Sequence, residues 1–417
     1  MKLKPLPIQA GLAQYQQQAD ALYAAYTAGD ITAMGQIKDG HPQWWRLPVA
    51  EFRQLNVAPS DAQVVVAWYY SFNSWQELST WVTAVTETGS PTARFETAVD
   101  AIVAGDIKVL KTLLQEAPAL ISARSMRSHH SMLLHYTGTN GVEGYRQRYP
   151  PNAVEVLQLL LAAGAEVNAT ADMYGGGSTT FGLLATSIHP AKAGIMSTML
   201  EILLKAGAFI DQPDAAGNDS PAINGCLHNG RPEAADFLMR HGALLDLEGA
   251  AGTGRLDIVQ TYFNEDGSLK DTATTHKMNY GFIWACEFGH VAVIDFLIGK
   301  GLDVNVNVDG MYGLHWALIG GHLDVVKLLI ARGASPESRN MYGGDAIGCC
   351  TWAIANSSEV YRWPEKEVDY LAIMGELLKT GIPVEQGMLA WLEKESDIPS
   401  PAKEQLNTLF RKYGATT

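Results

Sequence analysis

The sequence is short of cysteine, long apolar runs and positive charge, and each shortage excludes something. Cysteine occurs four times in 417 residues, at positions 226, 286, 349 and 350. No C-x-x-C spacing suggests a metal site, and the adjacent Cys349 and Cys350 are poor partners for each other. Reduced thiols, a reducing compartment and a cytoplasmic location are the expectation. No stretch approaches the roughly 18 apolar residues of a membrane-spanning helix. The opening MKLKPLPIQAGLAQYQQQ lacks the apolar core of a signal peptide. Lysine and arginine total 30 against 44 acidic residues, a formal net charge of −14. That balance argues against general nucleic-acid or anionic-membrane binding, because both need a basic surface to displace counterions. H-E-x-x-H and G-x-S-x-G are absent, and no carboxylate pair stands out as an acid–base couple. No metal or cofactor is expected.

What the sequence does have is a repeat. The stretches YGFIWACEFGHVAVIDFLIGKG from Tyr280 and YGLHWALIGGHLDVVKLLIARG from Tyr312 align without gaps at an offset of 32 residues. They match at Tyr280/Tyr312, Gly281/Gly313, Trp284/Trp316, Ala285/Ala317, Gly289/Gly321, His290/His322 and Gly301/Gly333. A small residue at Ala317 allows inner helices to pack closely, and Gly321 turns the chain between two antiparallel helices. The V-V-x-L-L run from Val325 gives the second helix an apolar face, and Gly333 ends it in the left-handed conformation. One such unit cannot bury its apolar face alone, so several must stack.

This pattern resembles the ankyrin repeat. The copy at 307–334 carries Asn307, Gly310, Leu314, His315, Ala317, Gly321, His322, Val325, Val326, Leu328, Leu329, Gly333 and Ala334 in the matching places, with Tyr312 and Gly313 where threonine and proline are usual. Degenerate copies follow the same rhythm, such as AIVAGDIKVLKTLL from Ala101 and CLHNGRPEAADFLMRHGA from Cys226. The segments LPIQAGLAQYQQQADALYAAYTAGD, NGVEGYRQRYPPNAVEV, MYGGGSTTFGLLATSIHP and NMYGGDAIG are similar to those of a group of bacterial ankyrin-repeat proteins. The resemblance implies an all-α ankyrin-repeat solenoid and says little about chemistry. The expected layout is an N-terminal helical cap region over 1–90, an array of about eight degenerate units over 91–384, and a C-terminal helical cap over 385–417. His135, His290, His315 and His322 fall where ankyrin repeats carry histidine, which suits a structural hydrogen bond to turn backbone.

Three units are too long. His135 to Gly164 spans 29 residues where His315 to Gly333 spans 18; Ala185 to Gly207 spans 22 and Cys350 to Gly381 spans 31 where Ala317 to Gly333 spans 16. The extra residues fall near 142–152, 186–194 and 355–370, each between the two helices of its unit, so all should project from one edge of the stack. The first carries Tyr145, Arg146, Arg148 and Tyr149, close to Arg124, Arg127, His129 and His130. Arginine forks here either take an external carboxylate or phosphate, or form salt bridges with the protein's own acidic loops. Aromatics recur at Tyr136, Trp284 and Trp316 on the inner helices and at Tyr174 and Tyr342 before glycines in the hairpin loops.

Two functions follow as expectations. The first is a binding or adaptor protein whose concave groove holds a protein partner, with Tyr136, Tyr145, Arg146, Arg148, Tyr174, Trp284, Trp316 and Tyr342 as binding residues. The second is a small-molecule site or enzyme, its pocket roofed by the three insertions and taking an anionic or sugar-like molecule. There Arg146 and Arg148 would hold the anion, His189 or Asp172 would transfer a proton, and Tyr174, Trp316 and Tyr342 would form walls.

Overall fold

A computed structural model describes residues 2–212, 221–356, 368–385, 387–394, 398 and 400–414. The chain is mostly helical and divides into two compact units, Met1–Asp219 and Ser220–Thr417.

The first unit opens with the helices Leu12–Thr27, Ile31–Gly40, Val49–Phe52, Pro59–Tyr69 and Trp75–Thr86. Local chemistry sets their starts: Asp30 accepts from the Ala33 N–H, and Ser74 from the Glu77 N–H at 3.2 Å, satisfying donors a helix leaves open. Their buried faces meet in a core centred on Tyr15, Phe52, Tyr70, Phe72 and Trp81. The paired helices Pro91–Ala104 and Ile107–Glu116 follow, with Ser90 capping the first and Gly105 turning between them at φ 73°. In the next pair the inner member is a stretch of 3-10 helix, Leu133–Gly138, and the outer one is Ala153–Ala162. A third pair is Thr180–Thr186 and Met196–Lys205, with the short helix Ile188–Lys192 between them. The insertion at 186–194 therefore extends the connection between two helices of one unit.

The second unit holds the pairs Ala222–His228 with Pro232–Arg240, Leu247–Gly252 with Leu256–Thr261, Thr275–Phe288 with Val291–Gly299, Gly313–Gly320 with Leu323–Ala331, and Ala346–Ala355 with Tyr370–Lys379. Helices Met388–Lys394 and Ser400–Lys412 complete it. Small residues bring the inner helices together: a Cβ on Gly281 would stand 2.7 Å from the Ala251 Cβ, and one on Gly313 would stand 2.7 Å from the Phe282 ring. The strands are two-residue hairpin tips, Asn307 paired with Tyr312 and Val308 with Met311, like Thr170 with Thr179 and Ala171 with Ser178 in the first unit. Side chains tie one repeat to the next. Asn305 accepts from the Ser335 N–H at 2.8 Å and donates to the Gly333 carbonyl at 3.0 Å, and Asn168 makes the same pair of bonds to Phe209 and Gly207. The Met341 N–H donates to the Gly310 carbonyl, linking consecutive hairpin tips.

Among the described residues no helix is long and apolar enough to cross a membrane. All four cysteines are buried, and none is in a disulfide.

Candidate functional site

The insertion at 142–152 turns inward. Arg146 is only 4% exposed, and its guanidinium takes the second of the two roles open to it. Nη1 lies 2.7 Å from Glu96 and 3.2 Å from Glu143, and Nη2 lies 2.8 Å from Asp100. Arg127 is buried beside it. It pairs with Glu96 at 3.2 Å and with Glu143, donates to the Tyr70 carbonyl, and stacks 4.6 Å over the Trp81 ring. The Trp81 N–H donates to the other Glu96 oxygen at 3.0 Å. Burial pushes the Glu96 and Glu143 carboxyls up, but Arg127 and Arg146 together outweigh it and hold both below the usual range. Two buried arginines thus balance two buried glutamates, which is the condition for keeping such charges away from water.

The insertion's other residues serve the same end. Tyr145 stacks on Tyr69 at 5.7 Å and meets Tyr70 edge-on, so it joins the N-terminal helical core. The Tyr149 hydroxyl donates to the Thr137 carbonyl, and Asn152 donates to the Gly105 carbonyl at 2.9 Å. Arg148 is exposed beside a crevice of about 10 Å³, room for a single water at most. Tyr136 departs from its expected place on a groove: it is 1% exposed, packed against Phe95 and His129. The physical reason is packing from neighbouring segments: Phe95 comes from the helix Pro91–Ala104 and His129 from the loop ahead of Tyr136.

The remaining first-unit candidates sit apart from that cluster. Asp172 Oδ2 lies 2.8 Å from His130 Nδ1 on two exposed hairpin tips, while the His189 N–H is held by the Ser187 hydroxyl. Tyr174 is exposed, with its hydroxyl donating to Asn140 at 2.6 Å. The repeat histidines have structural partners. His135 accepts from the Met132 N–H and reaches the Ala169 carbonyl at 2.9 Å; His290 reaches the Gly252 carbonyl at 3.0 Å.

The second unit contains a groove of about 670 Å³ that brings Trp284, Trp316 and Tyr342 together. Tyr280 and Trp284 are one helical turn apart on Thr275–Phe288 and share a face. Trp284 meets Trp316 edge-on at 5.5 Å, and Ile319 and Trp352 lie at equivalent places, three residues beyond Trp316 and Cys349 in their helices. One rim is the hairpin tip at 340–344, where Tyr342 is 82% exposed and Met341 is 64% exposed. Beneath the rings, Glu248 accepts from the Trp284 N–H at 3.0 Å and sits 2.7 Å from His228. The Trp316 N–H is buried and has no acceptor among the described residues.

Tyr280, Asp309, Met341 and Trp352 were missing from the residues read as a site. Tyr280 is visible as a repeat match, whereas Trp352 and Met341 stand where the preceding copy has Ile319 and Val308, so the alignment marks neither as an aromatic or exposed position. Asp309 reads in sequence as an ordinary turn residue. The third insertion, 355–370, lies for the most part outside the described residues, which resume at 368.

Residues 247–340 match the family model for ankyrin repeats, in three copies. Among solved structures, the chain is similar to the crystal structure of the human ASB11 ankyrin repeat domain, at 18% identity and a TM-score of 0.32, over 66% of this chain and 96% of that one. No curated protein matches it. Stacked helix pairs and the hairpin tips between them agree with the match over 247–340, and the chain carries ankyrin repeats there.

Proposed function

We propose that the second unit is a binding module whose aromatic groove holds a segment of a partner protein. The observation that carries this reading is the gathering of Tyr280, Trp284, Trp316, Tyr342 and Trp352, from successive repeats, along one groove with an exposed apolar rim. Tryptophan and tyrosine offer large contact areas at small entropic cost, which is why they dominate binding hot spots. An exposed rim of Tyr342 and Met341 has no folding purpose that would offset its contact with water. Ankyrin repeats are in general protein-interaction modules, which supports a protein partner over other classes. The cytoplasmic setting belongs to the same reading, and the four buried, unbridged cysteines support it.

The test is a selection from a randomised peptide phage library on the full chain, with Trp316→Ala/Tyr342→Ala as the counter-selection. Peptides that bind the parent chain one to one and lose the double variant are the expected result. A selection that yields no such peptide overturns the reading.

One observation favours a second reading. A volume of about 670 Å³ falls within the roughly 300–1,000 Å³ of small-molecule pockets. A thermal shift with small carboxylates, phosphates or sugars that vanishes in the same double variant would transfer the groove to that class; a ligand at about 100 times its Kd adds roughly 2.7 kcal/mol.

A further inference from the structure

We propose that the groove takes a segment carrying a cationic side chain, a lysine or arginine set among apolar anchors, with Asp309 as its counter-charge. This rests on the groove reading above and specifies the partner it selects.

Asp309 and Gly310 have φ of 50° and 77°, the two positive values that a type I′ hairpin requires. The turn explains an Asp-Gly or an Asn-Gly pair equally well, so it does not explain a carboxylate. The carboxylate has a partner of its own: the Tyr280 hydroxyl, reaching across from the inner helix of the preceding repeat. That hydroxyl is pushed up to about 12, first by burial and then by Asp309 itself, so it stays protonated and donates at neutral pH. Asp309 is thereby fixed at the edge of the aromatic wall while remaining exposed to solvent.

Charge complementarity sets the class of occupant. Among the described lining residues, Asp309 is the one aspartate, glutamate, lysine or arginine, and the lining His228 is turned to Glu248 at 2.7 Å. No described lysine, arginine or histidine forms an ion pair with it; Lys277, one turn before Tyr280 on its helix, is committed to Asp246 at 2.9 Å. The indole faces of Trp284 and Trp316 carry negative quadrupole density, and a guanidinium or ammonium group is attracted to such faces. Glu248 lies behind the same rings, held by the Trp284 N–H and by His228, so it is committed within the protein and Asp309 is the carboxylate left for an occupant. An acidic segment would meet Asp309 without compensation, and a purely apolar one would desolvate it without return. A lysine or arginine stem can lie along the rings with its head on the carboxylate.

The experiment uses the peptides selected above and the full chain with Asp309→Asn, which keeps the turn because asparagine tolerates the same backbone conformation. The expected result is a lysine or arginine at a fixed position in the selected peptides. Asp309→Asn should weaken them about tenfold. Replacing the basic residue by methionine should cost a similar factor on the parent chain and much less on Asp309→Asn, since the two changes remove one interaction. Added salt should weaken binding to the parent more than to the variant. Peptides that need Trp316 and Tyr342 but have no basic residue, and bind Asp309→Asn as tightly as the parent, overturn this inference and leave the groove reading standing. A selection with no dependence on Trp316 and Tyr342 overturns both.

Discussion

Arg146 Nη1 lies 2.7 Å from Glu96 Oε2 inside the first unit, where neither side chain exposes more than 4% of its surface. The arginine comes from an insertion and the glutamate from a regular repeat helix, so the pair explains why the repeat is interrupted where it is. The inserted chain supplies a buried cation and a tyrosine, Tyr145, that close the junction between the N-terminal helices and the first repeats.

Truncating Arg146 should therefore be a stability event. Arg146→Ala leaves Glu96 and Glu143 facing Arg127 alone, and breaking a buried pair costs roughly 3–5 kcal/mol. The low end is expected, because Arg127 still meets both carboxylates. Urea unfolding followed by tryptophan fluorescence checks this, with more than one transition allowed for a repeat array. A midpoint unchanged from the parent would mean that the cluster holds nothing together.

The same cluster sets an acid limit. Glu96 and Glu143 ionise below their ordinary value of 4.5 in the folded chain, because two arginines outweigh burial. Depressed carboxyls contribute stability that is fully present above the unfolded value and is lost as pH falls through the folded one. The first unit should hold its full share above about pH 4.5 and lose it progressively below. A melting series from neutral to acid pH would show the fall, and Glu143→Gln should flatten it.

Glu287 in the second unit has the opposite sign. Burial pushes its carboxyl up to about 8, against a smaller opposing effect from Arg231. A raised carboxyl contributes most below the unfolded value, 4.5, and that contribution disappears as pH rises toward 8. Glu287→Gln stays neutral throughout. It should match the parent near pH 5 and exceed it by on the order of 1–3 kcal/mol near pH 8. Equal melting temperatures at both pH values would contradict this assignment.

Two glycines separate backbone strain from crowding. Gly289 and Gly301 have φ of 84° and 92°, so alanine is strained at either. A Cβ at Gly301 meets open space, whereas one at Gly289 would stand 2.5 Å from the His322 ring. Gly301→Ala should cost about 1 kcal/mol, the conformational part alone. Gly289→Ala should cost clearly more, and comparable losses by thermal denaturation would mean that the His322 ring moves aside freely.

Much of the fold could be read in the chain because ankyrin repeats are local objects. The spacing from His315 through Gly321 to Gly333 specifies a helix, a turn and a second helix from neighbours alone, and the structure follows that spacing down to the left-handed Gly321 and Gly333. The inward-facing Trp284 and Trp316 were legible for the same reason: they occupy one register position in adjacent copies, and stacked copies bring that position together.

What required tertiary structure were the contacts between residues distant in sequence. Charge composition could not assign Arg146 to an external anion or to the protein's own carboxylates, because Glu96 lies 50 residues away in the chain and nothing local links them. Tyr136 shares a register position with Trp284 and Trp316, yet Phe95 and His129 pack on its ring, and burial is a property of what packs on top. Asp309 carried only a turn signal until the Tyr280 hydroxyl, from another repeat, was found on its carboxylate. Periodicity along the chain determined the repeats; only packing across them decided which charged and aromatic side chains are core and which line the groove.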